Sequence, residues 1–370
     1  MAGASIGIAG AGLLGRLLAW RLARAGHRVA VFDAAPGPQP AFDGRGAAAF
    51  SAAGMLSPLA EMEHAEPEIA ALGWRSIALW RAIAARLPRT AECDGVFAAG
   101  CFVQRGSLLL AHRGDGGAAQ RVLARLARTP DHAARPLDAA ALATLEPAVL
   151  GPAQAWLLPD EAQVLPGAAL DGLQAGAGDA VAWHWGRPVA AVAPGRIHGA
   201  DGTAAAFDTV FDVRGLGARD GAADWTASLR GVRGETVWLH APAHGLTRPL
   251  RLLHPRHRVY VVPRGADRVL VGASEIESED RSPVSLRSAV ELMAAAHSVV
   301  PALAEARIER LDRHLRPALP DHRPHTDIAP GLVRINGLFR HGWLLAPALI
   351  EDALAAAGLA LPPLEEDLHA

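Results

Sequence analysis

The first 33 residues alternate between two hydrophobic periods. Ser5-Ile6-Gly7-Ile8-Ala9 reads as a short buried strand, and Leu14, Leu17, Leu18 and Leu22 follow at helical spacing with arginines between them. The helix is expected to stop at Gly26, a residue suited to the left-handed position just past a helix end. His27 to Asp33 then reads as a second strand that closes on an acid. Far along the chain, Gly231 to Leu239 alternates its faces. Arg258 to Arg264 and Arg268 to Gly272 flank a Gly265-Ala266-Asp267 turn, which is a hairpin signature. These segments predict a second, antiparallel sheet, with Tyr260 and Val262 on one face and Val259 and Val261 on the other. A helix from about Val284 to Val300, capped by Ser282 or Ser285, is expected on the outer face of that half. The segment holding His314, His322 and His325 also holds Pro317, Pro320 and Pro324. It reads as a surface loop, neither helix nor regular strand.

Between the first strand and helix stands Gly10-Ala11-Gly12-Leu13-Leu14-Gly15. Gly10 permits a tight turn, Gly12 lets backbone approach a pyrophosphate, and Gly15 lets helix and strand pack closely. The helix N-terminus offers free N–H groups and partial positive charge to phosphates. Asp33, 18 positions beyond Gly15, can accept both ribose hydroxyls and disfavours a 2′-phosphate. Strand, loop, helix, strand and acid occur in the order that dinucleotide binding requires. At this point FAD and NAD both remain open. The overall class is α/β, a Rossmann-like nucleotide-binding domain with an interleaved antiparallel-sheet domain.

Composition narrows the chemistry. The 36 basic residues are all arginine, so a Walker-A phosphate loop and any lysine Schiff base are excluded. Formal net charge is −2, with no basic cluster interleaved with aromatics, so no nucleic-acid partner is expected. No uninterrupted apolar run reaches spanning length and no signal peptide is evident, which predicts a cytoplasmic protein. Cys93 and Cys101 match neither a redox nor a zinc spacing, and the histidines near His314 lack the partners of a four-ligand set. No metal is expected. A homo-oligomer is allowed by the sequence.

Five further blocks carry a resemblance: SAAGMLSP from Ser51, VYVVPR from Val259, VLVGASE from Val269, LRPALPD from Leu315 and FRHGWLLAP from Phe339. With them the chain resembles the D-amino-acid oxidase superfamily of FAD enzymes from Ile6 to about Leu354, and within it the glycine oxidases of the thiamine pathway. The resemblance implies FAD as cofactor, with contacts at Leu13, Leu14, Asp33, Ala34, Ala53, Gly54, Met55 and Val189. It implies more at Leu338, Phe339, Arg340, His341, Gly342, Trp343 and Leu344. The family's A-x-G-x-W-S run reads Val213 to Ala218 here, and only Gly215 is kept. The polar pair before the AAGML block is replaced by Ala48-Ala49.

On the substrate side the resemblance implies that Arg316 holds a carboxylate, that the Tyr260 hydroxyl assists, and that Arg340 meets the substrate at the flavin edge. A guanidinium fork suits a carboxylate bidentately. The implied activity is oxidative deamination of glycine or a small amino acid, with dioxygen reduced to hydrogen peroxide. The alternatives are a D-amino-acid or sarcosine-type oxidase or dehydrogenase, and a flavin-binding redox sensor without turnover. The expected segments are 1–87, 151–228 and 309–370 for FAD, and 88–150 and 229–308 for substrate.

Overall fold

A computed structural model describes residues 3–43, 46–62, 67–127, 132–219, 223–253, 259–359, 361 and 364. Ser5–Ala9 forms β1, Leu13–Arg24 forms α1 and Arg28–Phe32 forms β2, where the two hydrophobic periods place them. β1 pairs in parallel with β2 and with Thr209–Asp212. The complete sheet has six strands, in the order His325–Ala329, Leu332–Asn336, Thr209–Asp212, β1, β2 and Val181–His184. All neighbours are parallel except the His325–Ala329 edge strand. Ile6, Ile8, Val29 and Val31 meet Leu14, Leu17, Leu18 and Leu22 of α1 in the largest core. Each of these side chains contributes about 2 kcal/mol by leaving water. Gly26, with φ of +83°, ends α1 as expected. A three-stranded meander covers the opposite face of this sheet through Val192 and Ile197.

The second sheet has eight strands. Its order is Arg307–Ala318, Arg230–His240, Arg268–Gly272, Val259–Pro263, Leu250–Leu252, Ser107–Ala111, Gln154–Leu158 and Arg135–Leu137. Its pairs are antiparallel save Leu250–Leu252 against Ser107–Ala111. The expected hairpin is present, although Arg258 lies outside the described residues. The helix Leu286–Val299 is capped by Ser285, whose Oγ accepts the Ser288 N–H at 3.2 Å. Its Leu292, Ala296 and Val299 pack on Val237, Val259, Val261 and Val271. The other face of the sheet turns Tyr260, Val262, Leu270 and Trp238 toward Ala53 and Met55. The alternation read from the sequence therefore assigns the two faces correctly.

One expectation needs correcting. His314 and Pro317 belong to the twelve-residue strand Arg307–Ala318, and His325 opens another strand; only the turn around His322 is irregular. Proline is tolerated because Arg307–Ala318 is an edge strand. Opposite Pro317, the Gly231 N–H donates to Glu279 at 2.7 Å instead. Sheet membership also puts Gln154–Leu158 and Arg307–Ala318 in the larger sheet, so the change of sheet does not fall at residues 151 and 309. Among the described residues no helix is long and apolar enough to cross a membrane, and no His, Cys, Asp and Glu cluster is placed to hold a metal.

Candidate active site

The glycine loop is shaped by close approach. Gly10 has a φ of +105°, and a Cβ on Gly15 would stand 1.8 Å from the Gly10 carbonyl oxygen. Gly12 caps α1 without a side chain over its N-terminus, and a Cβ there would meet nothing nearer than Ala47 at 3.7 Å. Free N–H groups with open space before them fit a pyrophosphate. Asp33 is oriented by two backbone donors: Oδ2 accepts from Ala11 at 2.6 Å and Oδ1 from Ala35 at 2.7 Å. Both oxygens keep a lone pair for a ribose hydroxyl. Val189 borders a cavity of about 350 Å³ beside Phe32 and His184, and its carbonyl accepts from Arg214 at 2.9 Å. Arg214 also pairs with buried Asp212 at 2.8 Å, and Gly215, at φ of +57°, gives its carbonyl to Asn336. Arg214 and Gly215 lie in the Val213–Ala218 run, where the sequence departs from the pattern it otherwise resembles.

Sequence reasoning missed Arg16. It sits on α1 directly after Gly15, is 1% exposed, and donates to the carbonyls of Ala11, Leu170 and Pro38. Burial pulls its guanidinium down to about 10, against the opposing fields of Asp171 and Asp33. In the sequence it is one of the arginines between the helically spaced leucines, and no local signal distinguishes it.

The two blocks expected at the flavin meet in space. Gly54 has a φ of +62°, and a Cβ there would be 2.2 Å from the Val164 carbonyl oxygen. Beyond it, Met55 pairs with Gln163. Trp343 Nε1 donates to Ala49 at 3.1 Å, and Trp80 Nε1 donates to the Trp343 carbonyl at 2.7 Å. Leu338 bridges to Ala318, and Phe339 packs on Val232 and Ala318. The helix Gly342–Ala356 starts from His341 without a side-chain cap, and Leu344 lies buried behind it. An uncapped helix start favours negative charge in front of it.

Arg316 and Tyr260 are laid across two glycines. A Cβ on Gly234 would stand 2.3 Å from Arg316 Nη2, and one on Gly272 would stand 2.5 Å from the Tyr260 ring and hydroxyl. Each strand glycine is thus the floor for a side chain from another strand. Arg316 donates to the Ser274 carbonyl through both terminal nitrogens at 3.2 Å. Burial raises the Tyr260 hydroxyl pKa, with Arg316 and Arg264 pulling the other way, so it stays a neutral donor.

Arg340 is anchored by two carboxylates. Its Nε and Nη2 reach Glu61 at 2.9 and 2.8 Å, and Nη1 reaches Glu275 at 3.4 Å. Arg316 rests on the carbonyl of Ser274 and Arg340 on the side chain of Glu275, so consecutive residues hold the two guanidiniums. His341 Nδ1 lies 3.4 Å from the same Glu61, and burial keeps this imidazole below its ordinary pKa, opposed by Glu61. Burial alone would raise Glu61, but His341, Arg340 and Arg251 outweigh it and bring the carboxyl down to about 2. With the imidazole neutral above its lowered pKa, the lasting charge comes from the arginines. Glu61, Ser274, Glu275, Gly234 and Gly272 were not legible as site residues.

Comparison with known proteins identifies the family and the fold. The family model DAO, described as FAD dependent oxidoreductase, matches residues 5–354. A protein of Rhizobium etli described as a thiamine biosynthesis oxidoreductase, ThiO, is 36% identical over 344 residues, 92% of each chain. Among solved structures, glycine oxidase from Bacillus cereus superposes with a TM-score of 0.80 at 19% identity, covering 96% of this chain and 95% of that one. Glycine oxidase from Geobacillus kaustophilus gives 0.76 at 23%, covering 98% and 99%. At those identities the structures establish the fold alone.

Proposed function

This chain belongs to the DAO family of FAD-dependent oxidoreductases, and from that premise we propose that it oxidises glycine or a similarly small amino acid to the imino acid. Hydrogen peroxide is the co-product, and the imino acid serves the thiazole branch of thiamine biosynthesis. The observation that carries the reading is the Arg316–Tyr260 pair, laid over Gly234 and Gly272 on the sheet face that meets Ala53 and Met55. The pathway role rests on the name of the Rhizobium etli relative.

Bound FAD would supply the hydride acceptor and return the electrons to dioxygen. The residues of the chain supply the rest. The glycine loop and the start of α1 take the pyrophosphate, and Asp33 takes the ribose. Arg316 binds the substrate carboxylate bidentately, while the neutral Tyr260 hydroxyl donates one more hydrogen bond. Fixing the carboxylate at two points orients the Cα–H bond, so catalysis draws on positioning and fixed charge rather than on an acid–base dyad. Arg340, held by Glu61 and Glu275, adds positive charge at the start of the Gly342–Ala356 helix.

The test is oxygen uptake and peroxide formation by the FAD-loaded protein with glycine, sarcosine and D-alanine. Glycine is expected to turn over, with one glyoxylate appearing per peroxide after hydrolysis of the imine. Turnover of D-alanine or sarcosine with none of glycine would move the protein to the D-amino-acid or sarcosine-type reading. Flavin binding with no turnover of any amine would support a redox sensor.

A further inference from the structure

Arg16 follows the last glycine of the loop, yet its side chain is buried and turns back toward the start of α1. Long side chains on a helix lean that way by geometry. Its guanidinium donates to three backbone carbonyls: Ala11 at 3.0 Å, Leu170 at 3.1 Å and Pro38 at 2.6 Å. Ala11 belongs to the glycine loop, Pro38 to the segment that follows Asp33, and Leu170 to the helix Pro166–Gly176. The guanidinium carbon also lies 5.4 Å from the centre of the Phe50 ring, which leads into the Ala53-Gly54-Met55 block. One side chain thus touches the loop expected at the pyrophosphate, the segment beyond the ribose acid and the approach to the flavin block.

The segment after Asp33 has little of its own to hold it. Pro36, Pro38 and Pro40 carry no N–H, and the segment forms neither helix nor strand. Its carbonyls take donors from outside: the Gly186 N–H reaches Ala35 at 2.7 Å, and Arg16 reaches Pro38. Asp33 works on the same two loops, since its carboxylate accepts the N–H groups of Ala11 and Ala35. Arg16 therefore grips through carbonyls what Asp33 grips through amides. Asp171, the ion-pair partner of Arg16, stands 3.8 Å away and is 34% exposed, so it offsets little of the charge. Burial lowers the guanidinium only to about 10, which leaves a full positive charge behind the glycine loop at neutral pH. A pyrophosphate brings further negative charge to a site that already holds the Asp33 carboxylate, and a fixed cation offsets it.

We propose that Arg16 is the positioning residue for the ADP half of FAD: it sets the glycine loop and the segment after Asp33 at the separation the dinucleotide needs, and its charge favours the pyrophosphate. The inference rests on the reading that the glycine loop and Asp33 take the pyrophosphate and the ribose. Arg16 acts through Ala11 and Pro38, so its effect belongs to the ADP half and is the same for FAD and for free ADP.

The test uses the full chain as wild type, Arg16→Lys, Arg16→Met and Asp33→Ala. The Kd for FAD is read from flavin fluorescence, and the Kd for ADP from its competition with FAD. Hydrogen exchange of the Ala11 and Ala35 amides is followed with the flavin removed. Arg16→Met is expected to weaken FAD and ADP by the same factor, about thirtyfold. It is also expected to speed exchange at both amides about tenfold while β1 stays protected. Arg16→Lys keeps the charge without the fork and is expected to weaken both ligands about fivefold. If Arg16→Met leaves ADP within about twofold of wild type, or speeds exchange in β1 as much as at Ala11 and Ala35, the positioning role is overturned. If instead Asp33→Ala leaves the affinities for FAD and ADP unchanged, the reading of the nucleotide site itself fails. Should Arg16→Met not fold, Arg16→Lys decides the question, with a joint weakening of FAD and ADP supporting the role and unaltered ADP affinity overturning it.

Discussion

Replacing Glu61 with glutamine removes one negative charge from the point where Arg340 and His341 converge, and the loss can be estimated. The carboxyl is brought from an ordinary 4.5 to about 2 by the cations around it, against the upward push of burial. That shift corresponds to about 3 kcal/mol, at about 1.4 kcal/mol for each tenfold change in proton affinity. That figure is a ceiling, because His341 is neutral above its own lowered pKa and adds little charge at neutrality. Arg340 also keeps Glu275, and the amide oxygen of glutamine still accepts a hydrogen bond. A loss of about 2 kcal/mol at pH 7 is therefore expected. The folded-state pKa is depressed, so the stabilising contribution is complete above about pH 5 and disappears as pH falls from there toward 2. Thermal unfolding of the FAD-loaded protein at pH 7 and pH 3 reads this directly. Glu61→Gln is expected to lower the midpoint by a few degrees at pH 7, with the gap narrowed to about half or less at pH 3. An unchanged midpoint at pH 7, or an equal gap at both pH values, would refute the electrostatic account.

The strand and loop glycines lead to sharper tests. Gly272→Ala puts a methyl where the Tyr260 ring lies, 2.5 Å from its atoms, so the ring must lift; the glycine KM is expected to rise about tenfold with FAD content intact, and an unchanged KM would remove Tyr260 from the substrate site. Asp33→Ala deletes the acceptor for the Ala11 and Ala35 N–H groups as well as the ribose contact. FAD affinity, read from the fluorescence of released flavin, is expected to fall about ten- to a hundredfold, and unaltered affinity would place the ribose elsewhere.

How far the sequence alone reached depended on whether the information was local. β1, α1 and β2 each bury a face within a few residues, so the periods of strand and helix were printed side by side and could be read. The Val259–Pro263 and Arg268–Gly272 hairpin was legible for the same reason. Arg307–Ala318 was not. Its residues Arg310, Asp312, His314 and Arg316 face inward, while Ile308 and Leu311 are exposed at the edge, so its polarity runs opposite to that of a core strand. Local rules fail where a strand carries chemistry on its buried side. The anchoring of Arg340 is a different kind of gap, since Glu61 is 279 positions away and Glu275 is 65. Charge pairs at such separation leave no trace in spacing. Gly234 and Gly272 fall between these cases. A glycine inside a strand weakens it and often marks close approach, and both stood in plain view within strands otherwise rich in β-formers. What covers each one, Arg316 or Tyr260, could be learned only from the neighbouring strands. Strand glycines in this fold therefore point to where a site lies, and the pairing register identifies the residues that occupy it.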